Sequence, residues 1–184
     1  MRNVKSVSSG FFVGSMAGGL LVGMLLVFLG AVGNASGRDD PASVILLIVG
    51  FILLLYAEIV FLVLLYKAWA CIQDGATRTT PGKAVGLLFI PIFNWFWIFR
   101  AIPGYADEYN SYLDRANLPV NRLTKGSLQA FAVLSVLAII PLIGGIAALV
   151  ALFVGFAVAD KLCAAINALA EVAPVYKDQS LPQV

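Results

Sequence analysis

Four charge-poor runs leave this chain very few folds. Residues 11–32, 44–66, 84–99 and 128–159 carry either no charged side chain or a single one, Glu58. A helical crossing of a bilayer takes ~20 predominantly apolar residues, range about 17–25. The first two runs meet that length as full spans. The third has 16 residues and contains Pro91, so it is a kinked crossing or a re-entrant segment, allowed only where protein buries its irregular backbone. The fourth has 32 residues, ~48 Å if fully helical, and Pro141 followed by Gly144 and Gly145 kinks or breaks it. The expected fold is therefore all-α and polytopic: four transmembrane helices over about 11–32, 44–66, 84–100 and 128–159, the last two kinked at proline. They form a single transmembrane domain over 1–173, followed by a polar, poorly ordered tail over 174–184.

Composition agrees. Of 184 residues 61% are hydrophobic and 12% charged, against roughly a quarter charged in soluble domains. Twelve Lys and Arg with a net charge of +2 are scattered over every loop, which gives no stripe for nucleic acid. The absence of histidine removes the commonest general base, the commonest haem or zinc ligand and the usual pH switch. No cofactor, metal or catalytic group is expected. Cys71 and Cys163 fall just past the ends of apolar runs on the reducing side and read as free packing thiols. Arg2 and Lys5 precede the first run and small residues follow it, as in a signal peptide, but the run exceeds the usual h-region of about 7–15 residues. It reads as an uncleaved first span.

With four crossings and the N-terminus in the cytoplasm, Arg2, Lys5, Lys67, Arg78, Lys83, Lys161 and Lys177 lie inside, and Arg38, Arg100, Arg115, Arg122 and Lys125 outside. Were runs three and four hairpins entering and leaving from the cytoplasm, only Arg38 would be outside, a far stronger bias. Run three is short for two legs of a deep hairpin, so four spans in a bacterial inner membrane is the expectation carried forward.

Residues 104–117 show helical periodicity, with Tyr105, Tyr109, Tyr112 and Ala116 on one face and Asp107, Asn110 and Asp114 opposite. This pattern predicts an interfacial amphipathic helix with tyrosines at headgroup depth, or equally a surface helix packed on its own bundle. Residues 161–171 extend the fourth helix into the cytoplasm. There Lys161-Leu-Cys-Ala-Ala-Ile-Asn167 echoes Lys67-Ala-Trp-Ala-Cys-Ile-Gln73, with three identities in seven, close to chance for this composition. Such an echo suits duplicated helical hairpins.

Glu58 is the acid deep within an apolar run, nine residues before Lys67 and so ~13 Å from the end of span two. Counting from Lys83, Pro91 lies at ~12 Å and Asn94 at ~16 Å, so Glu58 and the Pro91–Asn94 break can share one depth. Pro91 leaves the Leu87 carbonyl without its usual partner, and a protonated Glu58 or the Asn94 amide is placed to donate to it. This candidate polar site is either a proton or cation site on a transport path or, more simply, an interhelical clamp of ~0.6 kcal/mol.

Small residues form two ridges that let helix backbones approach closely. Gly10, Gly14 and Gly18, with Gly19 and Gly23, line span one and point to a partner or a second copy. Ala147, Ala151, Gly155, Ala159 and Cys163 line span four and point to packing within the chain. The stretch 75–83 misses the phosphate-loop pattern, with six residues between its glycines and Ala84 after Lys83. Pro81-Gly82 instead suits a type II turn opening span three, with Lys67, Arg78 and Lys83 at anionic headgroups. Trp69, Trp95 and Trp97 read as packing or interface anchors. Asn34-Ala-Ser36 is a chance match to a glycosylation acceptor, and Asp39-Asp40-Pro41 is the turn and cap before span two.

Leu65-Tyr-Lys-Ala-Trp69, Thr80-Pro-Gly-Lys-Ala-Val-Gly86 and Phe89-Ile-Pro-Ile-Phe-Asn-Trp-Phe-Trp97 resemble a set of prokaryotic membrane proteins with a Pro-Gly-Lys turn followed by a Phe-Ile-Pro-x-x-Asn segment. The resemblance spans about a quarter of the chain and implies a shared fold without an activity. Thr80-Pro-Gly-Lys83 with Gly86 is also similar to the RDD family of small bacterial membrane proteins, although the Arg-Asp-Asp elements are absent from span one. The functional expectation is a non-enzymatic scaffold or accessory subunit, held in the lipid bilayer with other membrane subunits or as a homo-oligomer. The rival is a small channel or transporter component built on Glu58 and Asn94.

Overall fold

A computed structural model describes residues 4–35 and 40–179. Arg2, Ser36, Arg38 and Asp39 lie outside the described residues, and with them the glycosylation match and half of the Asp39-Asp40 turn; so do residues 180–184 of the tail. All regular structure among the described residues is helical: α1 (Ser9–Ala35), α2 (Pro41–Cys71), α3 (Pro81–Gly86), a short 3-10 turn (Leu87–Phe89), α4 (Phe93–Ala101), α5 (Pro103–Ala116), α6 (Gly126–Leu137) and α7 (Gly144–Gln179). Three stretches are long and apolar enough to cross a membrane: Ser9–Ala35, Pro41–Cys71 and Gly144–Ala173. α7 carries on through Pro174, so helix replaces the first part of the expected tail. The chain divides into two compact units, one of Ser9–Val63 and the other of Leu64–Val184 with Met1–Ser8.

The Ser9–Val63 unit is an antiparallel pair built on glycine. Gly19 faces Leu53 and Ala57, Gly23 faces Gly50 and Leu54, and Gly30 faces Ser43 and Leu47, so positions fall along α2 as they rise along α1. A Cβ built on Gly50 would lie 2.8 Å from the Gly23 carbonyl oxygen, and one on Gly30 2.7 Å from that of Ser43. Only hydrogen fits there, and backbone meets backbone. Asp40 caps α2, its Oδ1 accepting from the Ala42 N–H at 3.1 Å, with Pro41 in the first helical position.

In the second unit the end of α2 supplies Leu64, Leu65 and Trp69 to a core shared with Tyr105, Leu128 and Ile166. Here the tyrosine face of α5 finds its place. Tyr105, Tyr109 and Tyr112 are buried, not at headgroup depth; Tyr105 meets Trp69 edge-on at 5.6 Å, and the Trp69 indole N–H donates to the Ala101 carbonyl at 2.8 Å. An amphipathic stripe fits a protein core as well as a membrane surface, and here the bundle takes it. α5 stops at Asn117, whose left-handed backbone (φ 50°) lets the Leu118 N–H reach the Leu113 carbonyl.

Neither proline-bearing run is a kinked helix. In run three, Thr80 caps α3 by accepting from the Lys83 N–H at 3.3 Å, and Pro81 opens the helix, so Pro81-Gly82 is a first helical turn and not the expected type II turn. The chain then reverses at Ile90–Ile92, and α4 returns far enough for the Trp97 indole to donate to the Ala84 carbonyl at 3.1 Å. Run four reverses between α6 and α7. Phe131 approaches Gly155, and Lys161 Nζ donates to Thr124 Oγ1 at 3.0 Å, so the legs run antiparallel about a turn near Pro141. Gly144 packs against the Ala138 carbonyl, where a Cβ would collide with backbone.

The two reversals share a device. The residue after each proline has positive φ, 67° at Ile92 and 77° at Leu142. At Ile92 the Phe93 N–H closes back on the Pro91 carbonyl at 2.7 Å, a strained γ-turn that a β-branched residue rarely adopts. Such strain costs about 1–3 kcal/mol and persists only where surroundings over-determine it.

Candidate functional site

Polar side chains of the second unit gather at the helix ends rather than along the apolar legs. Three of them hold the extended segments that feed the hairpins. Asn167 on α7 accepts from the Val7 N–H at 2.7 Å and donates to the Val7 carbonyl at 2.9 Å, two residues before α1. Asn110 on α5 does the same to Leu123, accepting at 2.8 Å and donating at 3.0 Å, three residues before α6. Gln73, just past α2, donates to the Thr79 carbonyl at 3.1 Å, two residues before α3. Each amide satisfies backbone groups of a residue that lies outside the helices and has no ladder of its own to do so.

The order is cyclic along the chain. The exit of the α1–α2 hairpin pins the entry to α3–α4, the helix after α3–α4 pins the entry to α6–α7, and the exit of α6–α7 pins the entry to α1–α2. Sequence reasoning missed all three as pins. The signal lay in the echo, whose two last residues are Gln73 and Asn167.

Ion pairs bind the same region. Arg115 Nε lies 2.8 Å from Asp74 Oδ2, Arg78 lies 3.7 Å from Glu108, and Asp114 and Asp107 pair with Arg122 and Lys125, each at 2.5 Å. Burial pushes the Asp74 carboxyl up, yet hydrogen bonds from Arg115, Thr77 and the Ala76 N–H prevail and hold it at about 2. Beneath lie the tyrosines. Burial drives Tyr109 up to about 12 and Tyr105 well above the usual phenol range, and among the described residues the Tyr105 hydroxyl has no hydrogen-bond partner.

The sequence-predicted polar site is placed in parts. Glu58 lies on α2 in the Ser9–Val63 unit, exposed and next to Ala57, which packs on Gly19. Pro91 and Asn94 belong to the second unit, where the Leu87 carbonyl already accepts from the Ile90 N–H at 3.4 Å and the Asn94 backbone bonds to Ile90. The carbonyl that motivated the site therefore has a partner three residues away. Of the span-one ridge, Gly19 and Gly23 pack on α2, while Gly10, Gly14 and Gly18 are exposed, the latter two with open space where a Cβ would go. Ala147, Ala151, Gly155, Ala159 and Cys163 are all buried. Both cysteines are free thiols. Among known proteins, no family model, no curated sequence and no solved structure matches this chain.

Proposed function

We propose that the protein is a non-catalytic membrane scaffold or accessory subunit that enters a bacterial inner membrane from the cytoplasmic face alone. In this arrangement α1 and α2 cross the bilayer, α3–α4 and α6–α7 are re-entrant hairpins, and the pinned segments with α5 form a cytoplasmic platform for other subunits. The observation that carries it is the pair Arg115–Asp74, 2.8 Å apart. Four crossings would place these residues on opposite sides of a hydrocarbon core ~30 Å thick. The Arg78–Glu108 and Lys161–Thr124 contacts make the same point.

Length and charge support it further. The 12 residues of α6 span only ~18 Å. At the reversals Leu142 is 101% and Ile92 76% exposed, apolar tips suited to acyl chains and not to water. With both hairpins re-entrant, Arg38 is the one basic residue on the far side, which is the bias that insertion favours.

A cysteine at Asn121, in a chain with Cys71→Ser and Cys163→Ser, tests the arrangement. In spheroplasts a membrane-impermeant maleimide should leave it unlabelled until the membrane is opened. Labelling from the outside would restore four crossings. Stoichiometric proteins retained with the native complex in nanodiscs would then identify the assembly, and a lone monomer would remove the accessory role.

A further inference from the structure

Among the described residues Glu58 makes no hydrogen bond or ion pair, and it is exposed on α2 ~13 Å from the Lys67 end of an otherwise uncharged run. An unpaired carboxylate at that depth is costly, and acids within membrane helices almost always face protein or a water-filled cavity and have partners. Where it sits on the helix shows how it is covered. α2 carries two seams with the alternating four- and three-residue spacing that lets one helix lie along another. Ser43, Leu47, Gly50, Leu54 and Ala57 form the first, and all five meet glycines of α1. One residue further on, Val44, Ile48, Phe51, Leu55 and Glu58 form the second, every one of them exposed. Its four apolar members suit lipid as well as protein. The acid does not suit lipid, and a polar residue in such a seam sets register and partner at a cost in stability.

Charge decides which helix completes the seam. The chain has no histidine, and its four apolar runs hold no Lys or Arg, so a second copy brings no cation from them to the depth of Glu58. Two copies joined through this seam would set acid against acid. We infer that the second seam of α2 docks a transmembrane helix of a different subunit, one that carries Lys or Arg at the depth of Glu58. This rests on the accessory-subunit role proposed above and gives the partner its chemistry: large apolar side chains along one stripe, interrupted by a single base that forms a charge-assisted hydrogen bond to the carboxylate.

The test places a benzophenone amino acid at Leu55, next to Glu58 on the seam, in the full chain in native membranes. Light should give an adduct that maps to a membrane helix containing Lys or Arg. Glu58→Gln should lower its yield about tenfold, the upper range for one polar contact between membrane helices. Glu58→Lys should abolish it until the basic residue of the partner helix is changed to Glu. Since Glu58 bonds to nothing in its own chain, Glu58→Gln should leave detergent unfolding unchanged, so a lost adduct reports the contact and not the fold. An adduct to a second copy, an adduct helix without a base, acyl-chain adducts alone, or a yield indifferent to Glu58→Gln would each overturn the inference; acyl adducts would mark a Glu58 that faces lipid. Stoichiometric subunits kept in nanodiscs equally by wild type and Glu58→Gln would remove the seam and leave the accessory role, whereas a lone wild-type monomer would remove both.

Discussion

The α1–α2 and α6–α7 hairpins solve the same packing problem with opposite tips. Both run antiparallel with glycine between the legs, Gly19, Gly23, Gly30 and Gly50 in one and Gly155 against Phe131 in the other. The first has legs of 27 and 31 residues, and its connection reads Ser36-Gly-Arg-Asp-Asp40, polar throughout. The second turns on Ile139-Ile-Pro-Leu-Ile143, without a polar side chain. A polar tip gains hydration only by emerging on the far side, whereas an apolar tip is stabilised by staying in hydrocarbon. On the proposed arrangement, tip polarity and leg length together set whether a hairpin crosses or returns.

The largest effect expected from breaking this comparison is in the first hairpin. Gly50→Val places carbon against the Gly23 carbonyl and the Val27 backbone, and should destabilise by about 3 kcal/mol or more in a detergent unfolding titration. Gly18→Val, with nothing near its Cβ, should leave intrachain stability within ~0.5 kcal/mol. If Gly18→Val costs as much as Gly50→Val, the exposed glycine stripe is a packing surface after all, and a shift in oligomer mass would assign it to a second copy.

Next comes the tip itself. Leu142→Arg puts a charge at the point that a re-entrant hairpin buries in acyl chains, so membrane insertion should weaken by about 3 kcal/mol. Asn34→Arg, beside the polar connection of the crossing hairpin, should change insertion little. Equal tolerance of both, measured as glycosylation-reporter or protease-protected fractions, would mean that the α6–α7 tip reaches water.

Smaller still is the loss of a pin. Asn110→Ala removes two hydrogen bonds to Leu123, net ~1 kcal/mol each, and so about 2 kcal/mol from the hold on α6. Asn167→Ala should match it at Val7, and Gln73→Ala, which removes one bond to Thr79 besides one to the Trp69 carbonyl of its own helix, should take about half as much from the hold on the entry to α3. Amide exchange at residues 120–125 and 4–8 reads these directly; unchanged protection in Asn110→Ala would show that the segment is held by other means.

Much of this was legible in the sequence, and the failures have physical causes. Apolar runs show where lipid is met, because hydropathy needs no tertiary information. Two glycine stripes lie one residue apart on α1, Gly10-Gly14-Gly18 and Gly19-Gly23, and spacing cannot say which one a partner helix takes. The reversals were harder. Ile92 and Leu142 hold positive φ without the glycine or asparagine that usually announces it, so Pro91 and Pro141 read as kinks within spans. The polar site at Glu58 and Asn94 followed from treating run three as one helix, and it loses its motive once Ile90 closes on Leu87. Asn110 gave no local sign, since a helix-borne amide that grips a distant segment looks like any polar surface residue, and Asn167 showed only as the last residue of the echo.

The smallest effect concerns the tyrosine core that both short hairpins stand on. Tyr105 is fully enclosed and its hydroxyl is unpartnered, so Tyr105→Phe removes a desolvated donor while keeping the ring on Trp69, and should stabilise by about 1 kcal/mol. The same burial raises Tyr105 far above the ordinary phenol value and Tyr109 to about 12. A raised folded value means stability that is full below the unfolded phenol value of ~10 and lost as pH climbs through the folded one. Wild-type protein should therefore lose stability above about pH 10, and Tyr105→Phe should lose less of it. In the glycine-packed hairpin, which lacks a buried tyrosine among its core residues, Gly50 protection should hold through that range. Phenolate absorbance appearing in full by pH 11 without unfolding would show that α5 presents its tyrosines to solvent or headgroups instead.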